Sequence, residues 1–213
     1  NSNFTAKRIK KYWGRNSTVI HPPVDTKKFS AKNIRDDFYL SVSRLVPNKR
    51  IDLLVKAFNQ LNFPLIIVGS GSEKKQLMKI ANNNIKFLDY QDERVIINLM
   101  EKCRAFVYAG IEDFGIAPVE AMAAGAPIIA LKKAGILDTV RCIKSDTKIP
   151  TGILFNEQSH KALQDCINYF EEKKLWNEFC SEDINLWSQN FSINRFKKEF
   201  TNFVNQSLTE FKY

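Results

Sequence analysis

Apolar and polar residues along this chain follow two alternating periods. Short runs that are apolar at every position, such as residues 65–68, are typical of strands buried on both faces of a parallel sheet. Between these runs lie segments whose apolar residues recur three and four positions apart, as at 51, 54, 55 and 58, which is the spacing of a helix that packs by one face. This strand-then-helix cycle repeats as far as residue 155.

The pattern predicts an α/β domain, a Rossmann-like doubly wound parallel sheet with a helical C-terminal tail. The predicted strands are short and apolar and lie at 18–20, 38–45, 65–68, 84–90, 104–110, 126–131 and 151–155. The predicted helices lie at 1–14, 49–61, from 73 onward, at 92–103, after Gly115, and in the tail at 159–172, 173–190 and 192–211, with Ser192 as N-cap.

The whole chain, 1–213, reads as a single domain. Residues 1–17 resemble a basic amphipathic helix that ends a preceding domain or links to it, and no apolar segment of a signal peptide follows them. The chain starts at Asn1 rather than Met, so we expect it to be a piece of a longer protein. No apolar run approaches the ~20 residues of a membrane-spanning helix.

The net charge of +9 is unevenly distributed, because residues 1–50 contain twelve Lys and Arg against three Asp. Such a basic segment suits nucleic acid, an anionic membrane surface or a phosphate-bearing ligand, or it is only a solvated helix face. Four widely spaced cysteines, none in a C-x-x-C pair or near a histidine, argue against a zinc site and indicate free thiols in a reducing compartment.

Ligands of open parallel sheets bind at the carboxyl ends of the strands, so the loops there are the places to look for chemistry. In "SRLVPNKR", Arg44 and Lys49 could converge on one anion beside the N-terminus of the next helix; alternatively they are ordinary surface cations. Gly69 begins "GSGS", which lacks the third glycine of a dinucleotide fingerprint and also fits a tight turn.

The segment "EDFGIAPVEAMAAG", 112–125, carries two carboxylates around a helix start. Gly115 permits close approach of a ligand, and Pro118 fits the first helical turn, which leaves the amides of 115–117 free for phosphate. Glu112 and Glu120 would repel phosphate but could hold hydroxyls on either side of it, as a nucleotide sugar requires. The alternative is that Glu120 complements the helix dipole and Glu112 is solvated.

With these motifs in place, the chain resembles the retaining glycosyltransferases of family 4, which have the GT-B fold of two facing Rossmann-like domains. The resemblance rests on E-x7-E around "FGIAPVEAMAAGAPIIA", on "VIHPPVDTKKF" and "SRLVPNKR", and on "IIVGSGSEKKQL" and "TGILF" further along. It covers nearly the whole chain and implies that this is the donor-binding, C-terminal half.

The resemblance also implies roles for individual residues. Arg44 and Lys49 would contact the donor diphosphate, near Gly69, and Glu112 would contact the sugar beside the backbone of Phe114, Gly115 and Ile116. Glu120 would bind the ribose hydroxyls. The residues that would carry catalysis are Glu112, Arg44 and Lys49.

Mannosyltransferases of polysaccharide and O-antigen assembly are the most similar members, which implies GDP-mannose as donor and Asp92 or Glu93 as a reader of guanine. Two departures bear on the donor: Asp89 stands where glycine is common, and Ala134-Gly135 with Asp138 replaces Gly-Gly and a glutamate. The first affects the base pocket and the second the identity of the sugar.

The family further implies no metal or other cofactor, a glycan or lipid-linked acceptor held by the other half, and a cytoplasmic enzyme that could rest on an anionic membrane. A non-catalytic nucleotide- or phosphate-binding module of the same fold stays open as an alternative. A nucleic-acid binder ranks last, because the basic segment carries neither interleaved aromatic residues nor a binding motif, so we expect no nucleic-acid partner.

Overall fold

The structure is a computed structural model and describes residues 1–145 and 148–210. In this part of the chain a six-stranded parallel sheet is flanked by helices. The strands are β1 (Tyr39–Val42), β2 (Leu65–Val68), β3 (Ile85–Leu88), β4 (Ala105–Tyr108), β5 (Ile128–Leu131) and β6 (Gly152–Phe155).

The helices in the described residues alternate with the strands up to β6 and follow one another after it. They are α1 (Asn3–Trp13), α2 (Ile51–Leu61), α3 (Lys74–Ile80), α4 (Glu93–Lys102), α5 (Ile116–Ala123), α6 (Ile136–Thr139), α7 (His160–Glu172), α8 (Ser181–Ser188) and α9 (Ile193–Glu210). Short 3₁₀ turns occupy Thr26–Lys28, Pro47–Lys49, Leu175–Asn177 and Gln189–Phe191.

The strand order is β3-β2-β1-β4-β5-β6, so the direction of winding reverses between β1 and β4. The two strands pair in parallel through Tyr39 with Ala105 and Leu40 with Phe106. The loops that leave their carboxyl ends therefore run to opposite sides and open a crevice between them. The predicted α/β doubly wound fold is confirmed.

The core lies on the sheet and explains why these segments form strands. Every residue of β4, β5 and β6 is buried, which is the burial expected for strands covered on both faces. The Tyr39 ring contacts Phe58 and Phe170 at centroid distances of 5.2 and 6.4 Å and so joins β1 to α2 and α7. The small residues of α5 let that helix lie close to the sheet and to α8.

The predicted strand at 18–20 is wrong. These residues belong to no strand of the described sheet, and the chain makes its bridge four residues later, between Val24 and Ser192. The Val24 N–H donates to the Phe191 carbonyl at 2.8 Å. Pro22 and Pro23, which lack an amide hydrogen, separate the apolar residues from that bridge.

The predicted helix at 173–190 is broken in the structure into the 3₁₀ turn Leu175–Asn177 and helix α8. The backbone turns at Lys174, which has a φ of 49°. Trp176 and Phe179 then pack on Phe170, with ring centroids 6.0 and 6.1 Å away. Aromatic packing on the core thus overrides the helical spacing of the sequence.

The two terminal helices are the least integrated parts of the structure. No residue of α1 or of α9 is buried. The Ser192 Oγ accepts a hydrogen bond from the Arg195 amide at 3.5 Å, as expected of the N-cap of α9. The predicted end of this helix, at residue 211, lies outside the described residues.

The assignment of residues 1–17 to the end of a preceding domain or to a linker helix stays a prediction.

None of the helices described in 1–145 and 148–210 has both the length and the apolar content needed to cross a membrane.

Candidate functional site

A cavity of about 380 Å³ opens at the carboxyl ends of β1 and β4, where the winding of the sheet reverses. Its walls include the last residues of the two strands, Val42 and Tyr108, and the loops that follow them. The first turn of α5 and Pro22, which lies in the segment between α1 and β1, complete the cavity. This is the position at which doubly wound sheets bind ligands.

An ion pair between Lys49 and Glu112 crosses the cavity from the β1 loop to the β4 loop. The Lys49 Nζ lies 2.6 Å from the Glu112 Oε1, and only 15% and 25% of the two side chains are exposed. Lys49 ends the 3₁₀ turn Pro47–Lys49, which aims its side chain across the crevice. The lysine and the glutamate therefore neutralise each other's charge inside the cavity.

Tyr108 ends β4 and lies beside this pair. Its side chain lines the cavity although the residue is only 5% exposed. Burial raises the pKa of the phenol, and the Glu112 carboxylate raises it further. The hydroxyl, a hydrogen-bond donor, therefore lies beside the Glu112 carboxylate.

The turn from the β4 loop into α5 presents backbone amides to the cavity. Gly115 precedes α5 with a φ of 95°, a conformation that favours glycine. The Phe114 ring is buried and stacks on His21 at 5.5 Å, so it anchors the turn from behind. The amides of residues 115–117 donate to no residue that the structure describes, and they lie at the positive end of the α5 dipole.

Glu120 lies one turn into α5 and does not line the cavity that contains Lys49 and Glu112. It is half-buried, and none of the described residues donates a hydrogen bond to its carboxylate. Burial raises the pKa of Glu120, while the nearby Lys28 ammonium acts to lower it and the Glu93 carboxylate acts to raise it. Its surroundings thus differ from those of Glu112, which has a cation in direct contact.

The other predicted residues lie around the site rather than in contact with its ion pair. Arg44 is exposed and makes neither a hydrogen bond nor an ion pair through its side chain with any described residue. Its convergence with Lys49 on one anion stays a prediction. Asp92 is exposed at the N-cap position of α4, at the end of the loop that follows β3.

Gly69 lies against the β1 loop. A Cβ at this position would come within 1.9 Å of the Ser43 carbonyl oxygen. The Leu45 amide also donates to the Ser70 carbonyl at 2.8 Å, so the "GSGS" turn lets the loops after β1 and β2 pack together. The structure therefore has the tight turn that the sequence also allowed for "GSGS". Contact of Gly69 with a ligand stays a prediction.

Asp138 and Asp89, the two acidic residues that depart from the family pattern, each have a partner within this chain. The Asp138 Oδ2 accepts from the Asn3 amide at 2.6 Å, which fixes the start of α1 to α6. Asp89 pairs with Lys74 of α3. Both carboxylates are therefore engaged by this chain, at opposite sides of the crevice.

The sequence analysis did not identify two residues that the structure places in or near the site. Tyr108 lines the cavity, and Lys28 lies outside it. Tyr108 could be found as the hydroxyl residue that ends a buried strand one loop before Glu112. The ion pair of Lys28 with Glu93 joins residues 65 positions apart, so no local pattern of the sequence indicates it.

All four cysteines are free thiols, and burial raises the pKa of Cys103 and of Cys166 to about 12. Within the described residues, no three His, Cys, Asp or Glu side chains are grouped so that they could hold a metal ion.

The comparisons with known proteins agree with this geometry. The sequence model described as "Glycosyl transferases group 1" matches residues 25–184. A GDP-mannose-dependent monoacylated alpha-(1-6)-phosphatidylinositol monomannoside mannosyltransferase of Corynebacterium glutamicum is 30% identical over 171 residues, which cover 65% of this chain and 45% of that protein. The alpha-1,3/1,6-mannosyltransferase ALG2 of Saccharomyces cerevisiae is 29% identical over 197 residues, with coverages of 66% and 39%.

Solved structures share the fold at lower identity. Sucrose-phosphate synthase from Thermosynechococcus elongatus superposes with a TM-score of 0.81 at 19% identity, over 99% of this chain and 58% of that one. Anabaena HepE in complex with UDP and glucose superposes with a TM-score of 0.67 at 21% identity, over 97% and 53%. The chain thus spans about half the length of the proteins it matches.

The Lys49–Glu112 pair generates a prediction about anions. We expect Glu112→Gln to bind inorganic pyrophosphate more tightly than the unaltered chain, because the substitution releases the Lys49 ammonium. An ion pair of this kind is worth about 1 kcal/mol, which corresponds to roughly fivefold in affinity. Isothermal titration at fixed ionic strength measures the change.

Asp113→Asn is the matched control, since Asp113 lines the same cavity but pairs with Arg8 at 2.8 Å. It removes the same charge without releasing Lys49 and should change the affinity much less. Equal effects of the two substitutions, or weaker binding by Glu112→Gln, would contradict the role given to the ion pair.

Proposed function

The chain belongs to the group 1 glycosyltransferases, and we propose that it is the donor-binding part of a retaining, family 4 member of that group. The observation that carries the proposal is the arrangement at the switch point of the sheet. A partly buried lysine, an engaged carboxylate and free helix amides surround one cavity there. Their charges and donors match the diphosphate and sugar of a nucleotide sugar.

The diphosphate binds between the two loops. The amides of residues 115–117 and the α5 dipole face one phosphate, and the Lys49 ammonium neutralises its charge. Arg44, exposed and unpaired among the described residues, is available for the other phosphate from the rim of the crevice. When the donor arrives, Lys49 exchanges Glu112 for phosphate.

The sugar binds beside Glu112, whose carboxylate is free once Lys49 contacts the phosphate. The released carboxylate accepts hydrogen bonds from sugar hydroxyls, and the neighbouring Tyr108 phenol, protonated at neutral pH, can donate to the same ring. At the other end of the donor, Glu120 accepts from the ribose diol. Its carboxylate is half-buried and lacks a hydrogen-bond partner among the described residues, as an acceptor awaiting a ligand would.

Mannose from GDP-mannose is the donor that the relatives favour, since two of them are named as mannosyltransferases and one as GDP-mannose-dependent. HepE, a structural neighbour, is named as a complex with UDP, which makes a uridine donor the alternative to test. Asp92, exposed at the start of α4, is the candidate reader of guanine. Glu93 is less suited to that role, because Lys28 already holds it at 2.5 Å.

Transfer then breaks the bond between the anomeric carbon and the diphosphate oxygen and forms a bond to an acceptor hydroxyl on the same face of the sugar. The proton of that hydroxyl passes to the leaving diphosphate. Lys49, Arg44 and the α5 amides stabilise the negative charge as it develops, so the proposal includes no metal ion or other cofactor. The remainder of a longer protein binds the acceptor, a glycan or a lipid-linked glycan of polysaccharide or O-antigen assembly.

We place the enzyme in the cytoplasm, with α1 resting on the anionic face of a membrane. Tyr12 and Trp13 are 69% and 74% exposed at the end of α1, next to the exposed Lys10 and Lys11. The expectation that the basic segment has no interleaved aromatic residues at its surface is therefore wrong. Aromatic rings flanked by cations are the composition that favours the interface of an anionic bilayer.

The donor proposal predicts a selective thermal shift. GDP and GDP-mannose, added without metal at 100 times the dissociation constant, should stabilise the chain by about 2.7 kcal/mol, and UDP and ADP by less.

Glu120→Ala should weaken nucleotide binding by about tenfold or more, since each hydrogen bond from a hydroxyl to a carboxylate is worth roughly 1.5–3 kcal/mol. Differential scanning fluorimetry checks both.

Glu120→Gln, which keeps the size of the side chain, separates loss of charge from loss of packing. A UDP-selective shift would preserve the site and overturn GDP-mannose. Nucleotide binding that survives Glu120→Ala unchanged would contradict the ribose assignment, and no shift with any nucleotide would contradict donor binding by this chain.

The membrane proposal predicts co-flotation with phosphatidylglycerol-containing vesicles but not with neutral ones. Replacing Lys10 and Lys11 by Gln should lower partition by about 2 kcal/mol, or roughly 30-fold, because each cation near the surface contributes about 1 kcal/mol. Replacing Lys197 and Lys198 of α9, a second exposed lysine pair, is the control. Equal partition into both vesicle types, or an equal loss in the control, would contradict the role of α1.

A further inference from the structure

A second cavity, of about 350 Å³, lies along α1 beside the cavity that contains Lys49 and Glu112. Its volume is within the range of about 300–1,000 Å³ that is usual for sites of small ligands. One residue of the β4 loop and one face of α1, with residues three and four positions apart, form its walls. The wall residues are Thr5, Arg8, Ile9, Tyr12, Trp13 and Asp113.

Two polar contacts hold α1 against the loops of the proposed donor site. The Arg8 Nη1 lies 2.8 Å from the Asp113 Oδ1. The Asn3 amide donates to the Asp138 Oδ2 at 2.6 Å. Asp113 directly follows Glu112 in the β4 loop and lines both cavities. The cavity along α1 and the cavity of the donor site therefore share Asp113 as a wall.

The chemistry of the cavity along α1 suits the ring of a sugar. A pyranose has an apolar face of C–H groups, which packs on aromatic rings, and hydroxyls at its edge that need hydrogen-bond partners. Tyr12 and Trp13 supply largely exposed rings. Arg8 and Asp113 supply donors and acceptors, because both side chains are half-exposed and no other described residue forms a hydrogen bond with either.

We propose that this cavity is an acceptor subsite, which holds one pyranose ring of the glycan that receives the donor sugar. The ring stacks on Tyr12 and Trp13 and forms hydrogen bonds with Arg8 and Asp113. The inference rests on the proposed function and deepens it, because it gives this chain a part in binding the acceptor together with the remainder of a longer protein. The shared wall at Asp113 places the ring next to the donor sugar at Glu112.

A membrane surface is a poorer occupant of this cavity than a sugar. A bilayer would remove water from the Arg8–Asp113 pair without offering hydrogen bonds in return, which costs free energy, whereas sugar hydroxyls both donate and accept. Lys10 and Lys11, the cations of the membrane proposal, are exposed and do not line the cavity. Helix α1 can therefore meet a membrane through its lysines and a sugar through the face that carries Arg8.

Amide and indole chemical shifts test the subsite, with methyl α-D-mannopyranoside as the probe, on the free chain and on the chain saturated with GDP. The glycoside should shift the Trp13 indole and the amides of Thr5 and Ile9. Mannitol, an open-chain polyol without a ring face, should not shift them. The loss of one indole signal in Trp13→Phe identifies Trp13 among the three tryptophans.

Substitutions in the cavity should weaken glycoside binding to different extents. Trp13→Ala should cost about fivefold or more, and Trp13→Phe, which keeps a ring, about twofold. Arg8→Met should cost about tenfold, since hydrogen bonds to charged groups are the stronger ones. No residue of α1 is buried, so these changes leave the core intact.

Lys7→Met and Phe203→Ala are the controls. The first removes an exposed cation next to Arg8, and the second removes a partly exposed ring of α9; neither residue lines the cavity. Both variants should bind the glycoside as the unaltered chain does, and losses equal to those of Arg8→Met and Trp13→Ala would contradict the subsite.

The remaining outcomes separate the inference from the proposed function. Glycoside shifts confined to Lys49 and Tyr108 would place the probe at the donor-sugar position, and the inference would be wrong. If GDP shifts the amides of 115–117 but the glycoside leaves α1 unchanged, donor binding stands, and the aromatic face belongs to a protein or membrane partner instead. If the glycoside shifts α1 but GDP shifts no amide of 115–117, the donor proposal fails and the assignment as an acceptor subsite fails with it.

Discussion

The parallel pairing of β1 with β4 is the constraint on which the rest of this structure depends. The pairing places a strand from the second half of the sheet directly beside the first strand and so reverses the winding at that point. The connections that leave the carboxyl ends of β1 and β4 therefore run to opposite sides of the sheet. The crevice, the approach of Lys49 to Glu112 and the exposed amides at the start of α5 all follow from this one arrangement.

The electrostatics of the site resolve an apparent conflict between two carboxylates and an anion. Glu112 is neutralised by contact with Lys49, and in the proposed donor complex it becomes free because the diphosphate takes the lysine. Glu120 does not line that cavity; burial raises its pKa, and the Lys28 ammonium acts to lower it. In the proposed complex the two carboxylates therefore bind hydroxyls at either end of the diphosphate without both facing it.

Much of this fold could be predicted from the sequence, because strands buried on both faces and helices packed on one face leave strong periodic patterns. The failures lie where tertiary packing decides the local structure. Val19 and Ile20 are apolar but belong to no strand of the described sheet, and the bridge nearby joins Val24 to the distant Ser192. The tail helix breaks where Trp176 and Phe179 pack on Phe170, a contact that the helical spacing of the sequence does not indicate.

The candidate site shows the same division. The position of Glu112 and Gly115 at the end of β4 could be predicted, because they follow a buried strand closely in the sequence; Glu120 lies in α5 outside the cavity, and its role stays a prediction. The pairing of Lys49 with Glu112 and of Lys28 with Glu93 joins residues more than sixty positions apart, so only the fold reveals it. Arg44 is exposed and its side chain pairs with no described residue, so its part in binding an anion stays a prediction.

The central claim is that a nucleotide diphosphate binds at the β1–β4 crevice, and amide chemical shifts measured during a titration with GDP and then with UDP test it most directly. The account predicts that the largest changes fall on the amides of Gly115, Ile116 and Ala117 and on Lys49. Changes concentrated instead at the cavity near the amino ends of β4 and β5, lined by Arg35, Arg104 and Trp176, would contradict it.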